Sequence, residues 1–187
     1  NDTGEPPVLL GSPYQFTGGP LYLILPRKTS SGRLILPARV TLTSESDNVS
    51  AMAPMHSGMG NATITKDNRI HVVFLQNAPS PDGTSGTPQY IVTYDRVAKT
   101  ITGPVFLGTS DNSVPDTHDG PAITIDSQGY LHVILGAHGG RFQYTRSLVP
   151  NSITGGWTPP IWLEHNGDVL SQWTYISLLC DKNDTLH

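Results

Sequence analysis

"DTHDGPAITIDSQGYLHVILGAHGG", residues 116–140, decides how this chain is read. Two apolar runs, "AITI" and "LHVIL", flank a polar turn centred near Ser127 to Gly129. Short apolar, β-branched runs on either side of a Gly-containing turn predict a β-hairpin. His118 lies ten residues before Gln128, and His138 lies ten after it. In an antiparallel hairpin, residues equidistant from the turn face each other, with Cβ atoms roughly 4.5–5.5 Å apart in a direct pair. The turn therefore predicts two imidazoles at the same end of one hairpin.

The hairpin recurs. "ATITKDNRIHVVFL" (62–75) and "SLLCDKNDTLH" (177–187) share its plan: an apolar run, a polar turn with Asp, Asn or Gly, then an apolar residue followed by His. Aligning on His71, His132 and His187 gives spacings of 61 and 55 residues. Self-similarity at such a period, in strands and turns alone, predicts β-propeller blades. After each hairpin the chain has material for two more strands. The first repeat offers "PQYIVTYDRVAKTITGPVFLG" (88–108), with a turn at Val97 to Lys99; the second offers "FQYTRSL" and "WTPPIWL". Four strands per repeat is the blade pattern. About three repeats are present and the third stops in mid-strand. The expectation is therefore an all-β chain, 1–187, forming the N-terminal part of a single propeller domain.

Composition agrees. Gly (19) and Pro (16) are abundant among 187 residues, as short strands joined by turns require. No stretch has helical periodicity. Only 14% of residues are charged and the net charge is −4, with no basic run, so nucleic acid is not an expected partner. No apolar stretch reaches the 18 residues of a membrane-spanning helix. The polar start, Asn1-Asp2-Thr3-Gly4, has no signal-peptide pattern. Cys180 is the single cysteine and forms no internal disulfide. Sequons at Asn1, Asn48, Asn61 and Asn183 exceed chance slightly and hint at a secreted glycoprotein.

Shifting His118 by the repeat spacings places it opposite Ser57, beside His56, and opposite Trp173, two residues before Tyr175. His56, His118 and Tyr175 are thus expected near the starts of the innermost strands of successive blades, where those starts ring one mouth of a central channel. Rigid blades converging polar side chains there make a site. His118, His138 and Tyr175 are the candidate catalytic residues. His56, Asp119 and Arg141 are the candidate substrate contacts. His71 and His132, each between apolar neighbours in a strand, are read as structural histidines. One cysteine and scattered histidines make no metal-ligand set, the one alternative being His118 and His138 with a ligand from the rest of the propeller, and no cofactor is called for.

The stretch "THDGPAITIDSQGYLHVILGAHGG" resembles the corresponding stretch of the BNR-repeat-like propeller family, which includes seven-bladed polysaccharide lyases acting on ulvan and on rhamnose–glucuronate linkages. Many members read Asp-Asp-His-Asn-x-Pro where this chain has Asp116-Thr117-His118-Asp119-Gly120-Pro121. The resemblance implies that the family's two site histidines correspond to His118 and His138. Its tyrosine, usually followed by proline, corresponds to Tyr175, followed here by Ile176. Its carboxylate-neutralising arginine falls just beyond His187. It further implies β-elimination at a rhamnose–uronate linkage in a secreted or extracellular setting. The partners would be a uronic-acid polysaccharide and the remainder of the propeller. His138 is expected as base and acid, His118 at the uronate carboxylate and Tyr175 at the leaving oxygen; the two histidines can exchange roles.

Two other readings stand beside this one. A hydrolase normally uses two carboxylates flanking the bond, and Asp116 and Asp119 lie on one short loop. The sialidase Asp-box is not met by "SPDGTSGT" (80–87), which lacks the spacing and the tryptophan. A non-catalytic sugar-binding propeller would use Trp157, Trp162 or Trp173 for stacking.

Overall fold

A computed structural model of the chain describes residues 9–11, 19–37, 39–43, 61–76, 78–112, 116, 118–169 and 172–187. Among these residues every regular element is a strand. In chain order they are β1 (Leu9–Gly11), β2 (Tyr22–Ile24), β3 (Arg27–Lys28), β4 (Leu34–Ile35), β5 (Val40–Thr41), β6 (Thr63–Lys66), β7 (Arg69–Leu75), β8 (Pro88–Asp95) and β9 (Thr100–Thr109). Then follow β10 (Ala122–Ile125), β11 (Leu131–Leu135), β12 (His138–Gly140), β13 (Gln143–Arg146), β14 (Ile161–Trp162), β15 (Glu164–His165), β16 (Asp168–Val169) and β17 (Trp173–Thr174).

The two complete repeats form four-stranded antiparallel sheets in the orders β6-β7-β8-β9 and β10-β11-β13-β14. These are the strands expected from the sequence. The turns that close the hairpins are built alike. Asp126 accepts the Tyr130 N–H at 2.8 Å and meets His132 Nε2 at 3.1 Å. One repeat later, Asp181 accepts the Thr185 N–H at 2.9 Å and meets His187 Nε2 at 3.2 Å. The 55-residue spacing is thus a geometric repeat as well as a textual one.

Strands β7 and β11 are buried on both faces, which explains the near-continuous apolar run of β7. Ile70, Val72 and Phe74 face a cluster with Leu23 of β2 and with Leu21 and Leu42, which flank β2 and β5 of the antiparallel sheet β1-β2-β5. Val73 faces the other way, into a cluster with Ile91, Ile123, Leu131, Val133 and Leu135. The strand period of two assigns alternate residues to opposite faces, and here a neighbouring sheet covers each face. β11 repeats the arrangement: Ile134 turns from that cluster to a third one with Ala122, Ala137, Phe142 and Leu178. Sheets stacked face to face in sequence order are the packing of propeller blades.

Hydrogen bonds stitch neighbouring repeats at two levels. At the inner strands, Ile123 N–H donates to Asn61 O at 2.8 Å, and the Asn61 amide reaches past the second repeat to donate to Leu178 O of the third at 3.4 Å. At the hairpin turns, Lys66 Nζ donates to Asp126 O and Ser127 O, while Ser127 donates through N–H and hydroxyl to Asp184. His71 is buried, with Nδ1 2.8 Å from Thr93 Oγ1 and Nε2 2.7 Å from Asn151 Oδ1 in the next repeat. Its burial lowers its affinity for a proton. His132 pairs with Tyr144 and Asp126. Both act as structural histidines.

Candidate active site

The hairpin β10–β11 sets the site. Its register pairs Ala122 with Ile134 and Ile123 with Val133, a turn centred on residue 128. Continued outward, that register brings residue 118 opposite residue 138. The His118 and His138 ring centroids lie 4.5 Å apart with an interplanar angle of 40°. His118 sits in a tight turn closed by Asp119 N–H to Asp116 O at 3.3 Å. His138 opens β12, which leaves its own sheet and pairs with β17 of the following repeat, His138 opposite Thr174.

That cross-repeat pairing delivers the third ring. Tyr175 directly follows β17, and its ring lies 5.9 Å from His118 and 6.1 Å from His138. Its φ is +62°, a left-handed backbone that bulky residues rarely adopt. Such strain persists only where its surroundings hold it, and it concentrates at ligand and active sites. Three candidate residues separated by up to 57 positions thus meet in one place.

A carboxylate underlies them. Asp116 Oδ1 lies 2.6 Å from His118 Nδ1, and Oδ2 lies 2.7 Å from His138 Nδ1. The His118 backbone N–H also donates to Oδ1, at 2.9 Å. Burial pushes the Asp116 carboxyl up. The His118 N–H and the two imidazoles outweigh that effect and bring it down to about 2. The sequence signal for this role is the Asp-x-His spacing of 116 and 118; the family-like stretch and the hydrolase alternative both contain Asp116, but neither gives it this part.

Asp119, expected at the substrate, is instead a buried strut with no exposed surface. It accepts from the Thr87 and Ser110 hydroxyls, each at 2.7 Å, and from the Asn112 amide at 2.6 Å. Burial raises its carboxyl, against the pull of those hydroxyls. The Thr87 hydroxyl also accepts the Asp116 N–H at 2.7 Å. Asp119 therefore anchors the loop that presents Asp116 and His118. With no exposed surface, Asp119 cannot serve as the second carboxylate that the hydrolase reading requires.

A second strut lies beneath His138. Gln89, fully buried, donates to Gly136 O at 2.9 Å and accepts Gly136 N–H at 3.0 Å. This bidentate clamp ties β8 of one repeat to the chain entering β12 in the next. Arg141 forms a bidentate pair with Asp111 (2.6 and 2.9 Å) and stacks over the Trp162 ring at 4.0 Å. Its side chain keeps 40% exposure. His56 lies outside the described residues.

Two imidazoles and a phenol in mutual contact are groups suited to taking up and donating protons. Asp116, His118 and His138 also offer atoms within 4.8 Å of one another, close enough for one cation. A cation taking the two Nδ1 atoms would displace both ring hydrogen bonds, so the geometry reads as a hydrogen-bonded trio.

Comparison with known proteins agrees with this layout. Residues 88–187, more than half of the chain, match the model of the "BNR repeat-containing family member" group. The curated ulvan lyase of Alteromonas sp. (strain LOR) is 31% identical over 72 residues, covering 35% of this chain and 15% of that protein. A solved structure of a polysaccharide lyase, an ulvan lyase bound to -[GlcA(1-4)Rha3S]-, superimposes with a TM-score of 0.50 at 19% identity. It covers 70% of this chain, which spans 32% of that protein. The fold likeness and the family match point the same way: this chain belongs to the BNR repeat-containing family.

Proposed function

We propose that the protein of which these residues form part is a polysaccharide lyase that cleaves a rhamnose–uronate linkage by β-elimination. The carrying observation is the convergence of His118, His138 and Tyr175, with centroids 4.5, 5.9 and 6.1 Å apart, around a shared carboxylate. The similarity to ulvan lyases supports the same class.

The reaction needs three functions. The uronate carboxylate must be neutralised so that the C5 proton becomes acidic enough to leave. A base removes that proton, and its electron pair forms the C4–C5 double bond. An acid protonates O4 as the C4–O4 bond breaks. In our assignment His138 takes the C5 proton and returns one to O4, His118 meets the uronate carboxylate, and Tyr175 hydrogen-bonds the leaving oxygen. A neutralising arginine is expected from the continuation of the chain, with bidentate geometry suited to a carboxylate. Arg141 and His56 are assigned to substrate contact. A seven-bladed propeller secreted from the cell is the setting that fits this substrate class.

The test incubates full-length protein with ulvan or gum arabic and follows the ultraviolet absorbance of the conjugated, unsaturated uronate. A rising signal is the expected result. Reducing sugar released without that absorbance would overturn the lyase assignment in favour of hydrolysis.

A further inference from the structure

Asp116 does something that the proton chemistry alone does not demand. Its two oxygens are divided between two rings, one each, and both rings approach through Nδ1. An ionised carboxylate only accepts hydrogen bonds. The proton in each contact must therefore sit on the imidazole, and each Nδ1 is an N–H. In a neutral ring the lone pair then lies at Nε2. We infer that Asp116 is a positioning residue that holds both His118 and His138 in the Nδ1–H tautomer, so that each ring exchanges protons through Nε2. This inference rests on the lyase reading only for its consequence in turnover; the tautomers follow from the contacts themselves.

The sharing has a chemical result. With both rings in the same tautomer, either Nε2 can accept a proton and become an imidazolium beside the Asp116 carboxylate. On His138 that proton is the one taken from C5 and passed to the leaving oxygen; on His118 it is the one that lets the ring donate to the uronate carboxylate. A single Asp–His pair fixes one ring; this arrangement fixes two, both within ring contact of Tyr175. Loop contacts maintain it: Asp116 N–H is held by Thr87, and Thr87 by buried Asp119.

Asp116→Asn probes the inference because it keeps the shape and changes the hydrogen-bond logic. An amide has one acceptor oxygen and one donor NH2. It can satisfy one Nδ1–H, whereas its NH2 needs a lone pair at the other Nδ1, which forces that ring into the Nε2–H tautomer. The measurement is ¹⁵N NMR of ring-labelled histidines in the full-length protein, with His118→Gln and His138→Gln to assign the signals. The expected wild-type result is a protonated Nδ1 and an unprotonated Nε2 for both rings at a pH where they are neutral. In Asp116→Asn, one ring should exchange the two. On the lyase substrate, kcat should fall by about 100-fold or more, with KM within about threefold, as when a wrong tautomer disables a catalytic histidine.

An Nε2–H signal from either ring in the wild type would overturn the inference. So would an Asp116→Asn protein with both tautomers intact or with kcat within about threefold of wild type. Absence of lyase activity in the wild type would instead remove the proposed function, and the NMR signals would still decide the role of Asp116.

Discussion

At the scale of single residues, the two histidines were legible because a hairpin turns position into geometry. His118 and His138 are equidistant from residue 128, and the observed register has that centre. Asp116 and Asp119 were not legible, because strand periodicity says nothing about where loop carboxylates point. Beside a histidine and a glycine, Asp119 looks like a ligand contact. In the fold it points inward, where three polar side chains meet it. The two aspartates differ in acidity for the same reason. Asp116 carries a folded-state pKa of about 2 against an ordinary 3.8. A lowered pKa means the unfolded chain binds that proton first as pH falls. The stabilisation is therefore complete above about pH 4 and is lost as pH falls through about 2. Asp116→Asn has no proton to bind there. Urea midpoints of wild type and Asp116→Asn should differ at neutral pH and converge across that window. A difference unchanged from pH 7 to 2 would contradict the charged trio.

At the scale of elements, the four-stranded sheets followed from the sequence because apolar runs, turns and β-branched residues mark each strand locally. The pairing of β12 with β17 did not, since these short strands join different repeats and depend on how sheets stack. The Gln89 clamp belongs to the same class: its two bonds to Gly136 span 47 residues. Gly136 shows why the clamp needs glycine. A Cβ there would run into the Gly120 carbonyl and sit 2.6 Å from the Asp119 carbonyl. Those atoms are backbone of the loop that follows His118, so they yield only if the loop moves. Gly136→Ala should cost roughly 1–3 kcal/mol, as overpacking of a filled interior does. Urea denaturation measures the loss. Turnover on the lyase substrate should fall with it, because the same displacement shifts His118 relative to His138. A variant with wild-type stability would show that the loop tolerates the added carbon.

At the scale of the whole molecule, the run "IHVVFL" (70–75) lies in a strand covered on both faces. The repeat spacing set the order of the sheets. The identity of each layer's partner residues came only with the stacking. Ile123 has no exposed surface and packs with Val73 and Ile91 from the preceding sheet as well as Leu131 and Val133 from its own. Ile123→Ala should therefore destabilise the protein by about 2–5 kcal/mol. Val97→Ala, at a position 72% exposed, should stay within about 0.5 kcal/mol. Denaturant midpoints of the full-length protein provide both numbers. Equal shifts would mean that the layer between the two sheets contributes nothing to cohesion.

The ribbon formed by β12 and β17 gives the site a mechanical character. His118 and His138 ride on one repeat, whereas Tyr175 rides on the next, and the ribbon ties the two together. The gap between tyrosine and imidazole is thus set by the pairing of two neighbouring repeats, so a substitution that loosens that pairing reaches the site without touching any of its rings.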